Sequence, residues 1–530
     1  MIINRYFQTL AHLKIKQVFY RIYYVLRKKI TGYPKGYVKH LLKHEYILPQ
    51  FANGPRLISF IPSDIYFLQN TFTFLNLSKT FSIVDWEHAG FGRLWTYNLN
   101  YFDFINQQDV HFEEGLQLML DFNVDLTDRK AGLEPYTISI RGINWIKFFV
   151  KNKELFAKEQ WECLNKSLFV QYKVLYHHLE YHLMGNHLLE NALSILAGGV
   201  WFYDEKLIRE STILLEKELE EQILKDGMHF ERSPMYHSIL LNRILDVINV
   251  IVSTHTENSS IYKLLVEKAS LMLGWLKTYI FSDGSLPHFS DSADNVAPKS
   301  SDIFDYAQRL GVHIKNSKLC ESGYRKFTGE QYELMADYGP FGPSYINGHS
   351  HNDIFSFVLS IDGVPFIVDA GTSTYEANER RIFERGTSAH NTVQYQTKEQ
   401  CEIWSAFRTA RIASVYITEE NSNRICGYHN GFHPAMHKRS IECNERQITV
   451  CDTVSNTASL SSKAYIHFHP NIRVEYADKQ LLINNFRINF EGAEKISLQS
   501  YKYAAGFNYL VDSVLAEILF TNQLKMTISL

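Results

Sequence analysis

The chain has 530 residues, more than one ordinary hydrophobic core can hold, so we expect two or more domains. Hydrophobic residues make up 45% of the chain and charged residues 21%, a globular composition that argues against long disordered regions. The formal net charge of −3 excludes the strong basic field of a nucleic-acid-binding protein, so an anionic substrate would be bound by local groups in a cleft. The six cysteines show no CxxC spacing, which argues against a thiolate zinc site.

The N-terminal stretch 1–33 predicts an amphipathic helix that ends in the basic residues Arg27, Lys28 and Lys29. Such a helix either binds a membrane surface or packs on the protein with a solvated basic face, and the sequence alone favours packing. The stretch lacks an apolar run followed by a small-residue cleavage site, so we expect no secretion signal. We also expect no integral membrane span and a cytoplasmic or membrane-peripheral location, with the periplasm as an alternative.

Residues from about 100 to 320 carry helical periodicity. In 186–202 apolar residues recur every three or four positions and form one stripe, as expected for a helix that faces a core. The same spacing predicts further helices at 206–224, 237–255, 262–280 and 302–310. Successive helices with short polar connectors indicate helical hairpins stacked in a bundle or toroid.

After about residue 323 the apolar period changes to two. Segment 354–362 alternates, and its last residue, Asp362, forms with Gly363 a pair that favours a tight hairpin turn into 364–371. The same pattern predicts short strands at 446–454, 464–470, 480–485 and 486–492, as is typical of an antiparallel sandwich.

These patterns predict a multidomain α+β protein. We expect a helical or mixed segment at 1–85, a helical domain at 86–322 and an antiparallel β-sandwich at 323–530.

The first cluster of polar residues is 185–191, where Asn186 and His187 stand at the start of a strongly apolar helix. The first N–H groups of a helix lack partners and its dipole favours an anion, so an amide and an imidazole there can hold a carboxylate. Asn186 also suits an ordinary N-cap position, and for this motif alone the capping interpretation is favoured.

The second cluster is 226–237, in which Ser233 and Pro234 predict a helix start with Tyr236 in the first turn. The positive helix end would lower the pKa of Tyr236 and suit its phenol to proton transfer. The alternative is a tyrosine packed against the next helix, and for a single tyrosine that alternative is favoured.

Two histidines and a carboxylate stand in the predicted sheet half. His349 and His351 are two residues apart at the edge of a strand, so they point to the same side if both are extended. This arrangement suits metal binding or proton transfer, with a simple polar loop as the alternative. His351, Asp369 and His390 together form a nitrogen and oxygen donor set of the kind that binds zinc.

Seven segments resemble, in order, the heparinase II/III family of polysaccharide lyases. They lie at 94–104, 141–149, 185–191, 226–237, 288–295, 348–372 and 384–393. Together they are highly specific, whereas no single segment would be. The resemblance implies an incomplete (α/α) toroid followed by an antiparallel β-sandwich. It also implies β-elimination on a glycan that contains uronic acid.

The resemblance implies a role for each catalytic candidate. Asn186 and His187 would neutralise the uronate carboxylate, and Tyr236 would protonate the leaving glycosidic oxygen and, in a syn reaction, also take the proton. His349 would be the second acid or base. The ligands of one structural Zn²⁺ would be His351, Asp369 and His390, and no organic cofactor is implied.

Further residues of the matched segments are candidates for contacts with the anionic polysaccharide. Two glutamates would orient catalytic groups or serve structure, two arginines would pair with substrate charge or stay solvated, and three other residues would line the sugar cleft. For the tryptophan among these three, a core position is the alternative. These candidates are Tyr97, Asn98, Arg141, Trp145, Glu190, Glu231 and Arg232.

A lyase is the favoured function, and two alternatives stay open. A uronyl C5-epimerase begins with the same proton abstraction, and a non-catalytic glycan-binding or assembly protein would use the same scaffold. The basic helical N-terminus resembles family members of capsule or exopolysaccharide loci, which suggests a biosynthetic or editing role. The sequence does not indicate an oligomeric state.

Overall fold

The chain folds into a helical domain followed by an antiparallel β-sandwich, which confirms the predicted order of the two parts. The computed structural model describes residues 2–43, 59–61, 66–127, 131–253, 259–455, 460–477, 480–483 and 486–530. Residue 1 of the predicted N-terminal helix, 254–255 of the predicted helix 237–255 and 484–485 of the predicted strand 480–485 lie outside the described residues.

The N-terminal helices lie across both halves of the molecule. His12 Nε2 lies 2.6 Å from the carbonyl oxygen of Ala410 in the sheet half, and Gln17 Nε2 donates to the carbonyl of Leu183 in the helical half at 3.0 Å. The expected packed helix is therefore present, although it is broken into separate helices. These are α1 (Ile2–Ala11), α2 (Ile15–Thr31) and α3 (Lys35–Leu41), and they precede a small sheet of β1 (Tyr66–Leu68), β2 (Thr71–Phe74) and β3 (Leu77–Thr80).

The helical domain is an incomplete (α/α) toroid of successive hairpins. Its helices are α4 (Arg93–Tyr101), α5 (Phe112–Val124), α6 (Pro135–Lys151), α7 (Lys158–Tyr176), α8 (Gly185–Phe202), α9 (Glu205–Gln222), α10 (Pro234–Ser253), α11 (Ser260–Tyr279) and α12 (Ser300–Arg309). Helix α8 packs against both α6 and α10, while α7, α9 and α11 pack on the outer sides of these three. The inner helices therefore bury nearly their whole surface, which explains why their sequences are apolar beyond a single stripe.

Helix α8 shows how the sequence permits this packing. Within α8, whose residues are all described, every residue except His187 is buried. A Cβ atom on Gly198 would lie 2.7 Å from the Tyr172 ring, so the glycine lets α7 approach closely. The only solvent-reaching side chain of α8 is therefore a predicted site residue.

Helix α10 is, among the described residues, the one helix with the length and hydropathy of a membrane-spanning segment. Most of α10 is buried inside the helical domain, as expected for the core helix of a toroid.

The sandwich consists of a four-stranded and a ten-stranded antiparallel sheet. The smaller sheet has the order β4 (Tyr324–Thr328), β5 (Tyr332–Asp337), β6 (Phe357–Ile361) and β7 (Val364–Ile367). At the predicted turn, Asp362 and Gly363 both have positive φ, 50° and 75°, which confirms the tight hairpin between β6 and β7. Leu334 and Leu359 of this sheet pack in one core with residues of the larger sheet.

Between β7 and β11 the chain also forms α13 (Glu379–Glu384) and a separate two-stranded hairpin, β9 (Ile403–Ser405) with β10 (Arg408–Thr409). Its strands are β8 (Val393–Tyr395), β11 (Val415–Glu420), β12 (Arg424–His429), β13 (Met436–Asn444), β14 (Gln447–Ser455), β15 (Ser461–His467), β16 (Glu475–Ala477), β17 (Gln480–Ile483), β18 (Phe486–Gly506) and β19 (Tyr509–Ser529). β18 and β19 form a hairpin far longer than the strand predicted at 486–492, and register shifts between Glu491 and Lys495 let it bend around the core.

Candidate active site

Three separate chain segments meet where the two halves of the molecule touch. Tyr236 comes from the first turn of α10 and His349 from the loop before β6, and their ring centroids lie 4.1 Å apart. The start of α8, with Asn186 and His187, is linked to this pair through Glu231. Tyr236, His349 and Asn186 are therefore linked by direct contact or through Glu231, and His187 follows Asn186 in the first turn of α8.

His349 is oriented by a buried carboxylate. Its Nδ1 atom lies 2.8 Å from Asp291 Oδ2, and because a carboxylate only accepts, Nδ1 carries the proton. Nε2 is left as the basic nitrogen and lies 3.7 Å from Glu231 Oε2. The Asp291 side chain also accepts from His351 Nε2 at 2.8 Å and from both terminal nitrogens of Arg381.

Asp291 stays ionised despite its complete burial. Burial alone would raise the pKa of the Asp291 carboxyl, but the Arg381 guanidinium and the two histidine hydrogen bonds hold it well below its usual range. The carboxylate can therefore fix the His349 ring and stabilise a positive charge on it, as in other histidine–aspartate pairs.

Glu231 connects the helical part of the site to the sheet part. The Asn186 backbone N–H donates to Glu231 Oε1 at 2.8 Å, and Asn186 Nδ2 lies 3.0 Å from both carboxylate oxygens. The carboxylate lies at the first turn of α8, where the helix dipole favours an anion. Glu231 thus orients Asn186, which is one of the two roles predicted for this glutamate. The capping interpretation of Asn186 was wrong, because Met184 is the N-cap and Asn186 is the second residue of α8.

His187 is held in a charged pair with Glu180. Its Nδ1 atom lies 3.3 Å from Glu180 Oε1, its ring centroid lies 4.6 Å from that of Tyr136, and 32% of its side chain is exposed. Burial lowers the pKa of His187, but the carboxylates of Glu180, Glu231 and Glu190 together outweigh burial and raise the net pKa above the usual 6.5. His187 therefore keeps its positive charge to a higher pH than an ordinary histidine does.

Tyr236 differs from the expectation for its acidity. Burial raises the pKa of the Tyr236 phenol well above its usual range, and Tyr375, whose hydroxyl lies 3.3 Å away, raises it further. The predicted lowering of this pKa by the helix end was wrong, because burial and nearby negative groups outweigh the dipole. The first turn itself is as predicted, with Ser233 Oγ accepting from the Tyr236 N–H at 3.2 Å.

The backbone is unusual beside each of these groups. Met184, Arg232 and Ser290 have positive φ values of 65°, 57° and 53° without being glycine. They directly precede or follow the Gly185–Asn186 pair, Glu231 and Asp291. Such conformations cost energy and cluster at functional sites, where the surrounding packing holds them.

A row of tyrosines leads away from His187 along the toroid. Tyr136 lies next to His187, the ring centroids of Tyr136 and Tyr101 are 6.2 Å apart, and those of Tyr101 and Tyr97 are 6.4 Å apart. Tyr97 lines a shallow pocket of about 260 Å³ that also includes Glu134. Tyr101 is buried, whereas Tyr97 and Tyr136 are partly exposed, and the contact of Tyr97 with substrate stays a prediction. Asn98 lies beside Tyr97, with its amide nitrogen bound to the Leu94 carbonyl of the same helix.

Two of the predicted substrate contacts lie instead in the core. Arg141 is completely buried, and its guanidinium donates to Gln171 Oε1 and to the carbonyls of Asn100 and Gly132. Trp145 is also completely buried, in the main core of the helical domain. Neither reaches a surface that a polysaccharide could touch, because both lie on inward sides of α6.

Two others are engaged in structural contacts. Arg232 Nε donates to the Ser322 carbonyl at 2.9 Å and Nη2 to that of Glu321, so its charge joins the end of the helical domain to the sandwich. Glu190 is completely buried, with Oε1 2.6 Å from Arg243 Nε. For both residues the predicted contact with substrate is replaced by an internal one.

The predicted zinc ligands lie near one another but are not arranged as a complete ligand set. His390 Nδ1 and Asp369 Oδ2 converge at 2.6 Å, and the His351 ring centroid is 5.4 Å from that of His390. His351 Nδ1 is buried without a hydrogen-bond partner, a free donor of the kind that zinc takes. However, His351 Nε2 is bound to Asp291, and among the described residues no group of three His, Cys, Asp or Glu side chains has the geometry of a metal site. The donors fit zinc by their chemistry, and zinc here remains a prediction.

Several residues that complete the site are not recognisable from the sequence. Asp291 lies within the segment 288–295 that carried the resemblance, but nothing in its local pattern shows that it meets His349. Glu180, Arg381 and Tyr375 lie outside the matched cores of those segments or in loops without periodicity. Their contacts appear only when distant segments meet. The one feature of the sequence that pointed to these residues was the concentration of polar residues between apolar segments.

Comparison with known proteins agrees with this geometry. A model of the heparinase II/III N-terminus matches residues 134–316, and a model of the heparinase II/III-like C-terminal domain matches residues 315–524. A heparin-sulfate lyase of Bacteroides stercoris is 24% identical over 294 residues, which is 49% of this chain and 42% of that protein. The match thus spans less than half the length of this relative.

Two solved structures share the fold. A heparinase III structure has a TM-score of 0.65 at 14% identity, covering 95% of this chain and 91% of that one. A heparan sulfate lyase mutant from Pedobacter heparinus has a TM-score of 0.56 at 16% identity, covering 95% of this chain and 90% of that one. The two family models together cover residues 134–524, and the chain therefore belongs to the heparinase II/III family.

Proposed function

We propose that the protein is a polysaccharide lyase that cleaves a uronic-acid-containing glycan by β-elimination. The observation that carries this proposal is the contact between the Tyr236 and His349 rings, 4.1 Å apart, with a histidine–aspartate pair behind them. The two groups suit one base and one acid acting on neighbouring atoms of one sugar. The names of the relatives, a heparin-sulfate lyase and a heparinase III, support the same reaction class.

The substrate carboxylate would be bound by Asn186 and His187. The hydrogen on C5 of a uronate is barely acidic while the carboxylate is ionised, because its removal builds a second negative charge. An imidazolium at position 187, favoured by Glu180, and the amide of Asn186 would stabilise that charge as it forms. This role needs groups that are already in place, and both side chains are fixed by buried carboxylates.

His349 would take the C5 proton. Its Nδ1–H is held by Asp291, so the lone pair on Nε2 is free to accept a proton, and Asp291 stabilises the resulting imidazolium. The electron pair of the C5–H bond then forms the C4–C5 double bond, and the C4–O4 bond breaks.

Tyr236 would protonate the leaving oxygen. Its raised pKa keeps the phenol protonated at neutral pH, so it can supply the proton that the departing O4 takes up. The proton returns from the His349 imidazolium to the phenolate through solvent after the products leave. No redox cofactor or covalent intermediate is needed.

The test is a panel of uronic-acid polysaccharides, with and without sulfation, assayed for the ultraviolet absorbance of an unsaturated uronate. We expect one or more members of the panel to give this product and Tyr236→Phe to lower the rate at least 10²-fold, because the acid is lost. Tyr203→Phe, an exposed tyrosine on the outer side of the toroid, is the matched control.

The alternatives give different results in the same assay. A C5-epimerase would exchange the C5 hydrogen with deuterated water and give no unsaturated product. A non-catalytic glycan-binding protein would retain the polysaccharide without either reaction. Either result would overturn the lyase proposal.

We further propose that the natural glycan is lightly sulfated and belongs to capsule or exopolysaccharide metabolism. The overall charge of −3, which gives no strong basic field, argues for one bound carboxylate per sugar rather than many sulfates. The basic N-terminal helix is the feature shared with family members of capsule or exopolysaccharide loci. Equal activity on heavily sulfated and unsulfated members of the panel would contradict this.

A further inference from the structure

The N-terminal helix α2 is attached to the protein by its polar and tyrosine-bearing side. Gln17 Nε2 donates to the Leu183 carbonyl at 3.0 Å, Tyr24 Oη donates to the Leu179 carbonyl, and the Tyr20 ring lies 4.6 Å from that of Tyr181. These three positions share one face of the helix, since they are three and four residues apart. The opposite face therefore points away from the protein.

That opposite face is apolar and unusually exposed. Its residues follow one another at intervals of three or four, so they form a continuous stripe along α2. The exposed fractions are 88% for Ile15, 60% for Phe19, 58% for Ile22, 51% for Leu26 and 79% for Ile30. A helix that packs on a domain normally buries such a stripe, and this one does the reverse.

Helix α1 continues the same arrangement over the sheet half. His12 and Thr9 contact the β9–β10 hairpin, where Thr9 Oγ1 donates to the Thr409 carbonyl at 3.1 Å. Phe7 and Leu10 point outward and are mostly exposed. The two helices thus present apolar side chains along one outer surface that crosses both halves of the molecule. We call this surface the N-terminal stripe, defined by Phe7, Leu10, Ile15, Phe19, Ile22, Leu26 and Ile30.

The charge around the stripe identifies the kind of partner. Residues 1–43 contain ten Lys and Arg and no Asp or Glu, whereas the whole chain has a net charge of −3, so the remaining residues carry −13. Lys28 and Lys29 are exposed beside the end of the stripe. A second copy of the chain would bring two strongly basic segments together, which charge repulsion opposes. An anionic surface would attract them.

We propose that the N-terminal stripe binds the surface of an anionic phospholipid bilayer, with α1 and α2 lying in the plane of the interface. The apolar side chains would enter the boundary between headgroups and acyl chains, and the flanking lysines and arginines would contact the anionic headgroups. The sequence analysis favoured a helix that only packs on the protein, because exposure of the stripe cannot be read from its periodicity.

The test is flotation of the purified full chain with vesicles of phosphatidylcholine alone or of phosphatidylcholine with phosphatidylglycerol. We expect binding to the vesicles that contain phosphatidylglycerol and release at high salt. The double variant Ile22→Glu with Leu26→Glu should lower the vesicle partition coefficient about tenfold or more, because it removes buried apolar area and adds negative charge. Lys28→Gln with Lys29→Gln should lower it less and only on the anionic vesicles.

The matched control is the double variant Val124→Glu with Ile213→Glu, which makes the same charge change at exposed apolar positions of α5 and α9. We expect it to bind vesicles like the unchanged protein. Circular dichroism and thermal unfolding check that each variant is folded. If Ile22→Glu with Leu26→Glu does not fold, Lys28→Gln with Lys29→Gln still tests the proposal.

Three results would overturn the proposal. One is the absence of binding to either kind of vesicle. Another is equal binding by the stripe variant and the control variant. The third is self-association in sedimentation velocity that is abolished by Ile22→Glu with Leu26→Glu without any lipid binding, since it would assign the stripe to a second copy of the chain.

Discussion

The carboxylate of Asp291 lies 2.8 Å from Nδ1 of His349, although the two residues belong to different halves of the molecule. Asp291 lies in the connection after α11, and His349 lies in the loop before β6. The backbone N–H of Asp291 also donates to the His349 carbonyl at 3.0 Å, so the side-chain pair is fixed at both ends. The interface between the halves therefore determines the tautomer of the proposed base.

Replacing Asp291 with asparagine should impair the proposed base more than it impairs substrate binding. An amide no longer selects the Nδ1–H tautomer or stabilises the imidazolium, so we expect kcat to fall roughly 10²-fold or more with little change in KM. The variant should also unfold at a lower temperature, since Arg381 loses its buried counter-charge. Initial rates and their pH profile are measured well below that temperature. If the folded variant has an unchanged kcat, Asp291 does not assist the proposed base.

The ion pair of His187 and Glu180 should make the stability of the protein depend on pH. The pKa of His187 is raised above 6.5 and that of Glu180 is lowered below 4.5. Burial opposes both shifts, and it is outweighed by the attraction between the two groups together with other charged and hydrogen-bonding neighbours. The stability from this pair is therefore fully present between those usual values. It is lost as pH rises through the raised pKa of His187 or falls through the lowered pKa of Glu180.

Glu180→Gln tests this pair through catalysis. Without the carboxylate, burial lowers the pKa of His187, so the cation that binds the substrate is lost at a lower pH. We expect the pH at which KM rises to shift downward in the variant, while kcat at low pH changes little. Glu210→Gln, on the outer helix α9, is the control. A pH profile of KM that is identical in both variants would show that His187 does not act as a cation.

Gly185 should not tolerate a side chain. Its φ is +56°, and a Cβ atom would lie 2.5 Å from Glu231 Oε1 and 2.6 Å from Ile346 Cδ1. Gly185→Ala therefore combines backbone strain of about 1–3 kcal/mol with displacement of the carboxylate that holds Asn186. We expect a lower unfolding free energy in urea and a loss of activity. Gly311→Ala has a similar φ of +71° and open space around it, so it isolates the strain. Equal effects of the two substitutions would mean that the contact with Glu231 is unimportant.

Glu190 should matter for stability and not for substrate binding. It is buried against Arg243, and burial raises the pKa of its carboxyl although Arg243 opposes the rise. Glu190→Gln weakens this pair while Arg243 keeps Asp246, so we expect a loss of about 1–3 kcal/mol in the free energy of unfolding. KM should stay within about twofold of the value for the unchanged protein, since Glu190 does not contact the substrate. A large rise in KM without loss of stability would restore the substrate contact that the sequence suggested.

Elemental analysis tests the proposed zinc. We expect about one zinc per chain, bound by His351, Asp369 and His390, with the unpartnered Nδ1 of His351 as one ligand atom. His390→Ala should lose the metal, whereas His433→Ala, at an exposed histidine between β12 and β13, should keep it. Protein purified without chelators that contains no zinc and unfolds at the same temperature with or without added zinc would contradict the prediction.

The fold could be predicted largely because periodicity reports burial. The stripe in 186–202 and the alternation in 354–362 each identified an element whose neighbours then bury it. Arg141 and Trp145 show the limit of this reasoning, since the matched segment gives their presence but not the direction in which α6 turns them. The acidity of Tyr236 was misjudged for a related reason: the helix end is visible in the sequence, whereas burial and Tyr375 are not.

The candidate site was only half visible for a physical reason. Asn186, His187, Tyr236 and His349 stand in compact motifs, but the groups that set their charge stand outside these motifs. Glu180 pairs with His187 across the turn before α8, and Arg381 reaches Asp291 from α13. The first pairing depends on the shape of a turn and the second on how the two halves dock, and no local pattern encodes either.

The sharing of Asp291 also constrains how such a protein can change over time. The boundary between the two matched family regions, at 315–316, leaves this carboxylate on one side and its partners His349, His351 and Arg381 on the other. A sheet half produced alone would leave a guanidinium and two imidazoles without the carboxylate that pairs with them. Recombination between distant homologues at this seam would therefore yield functional chimaeras only when both parents present the same ionic match.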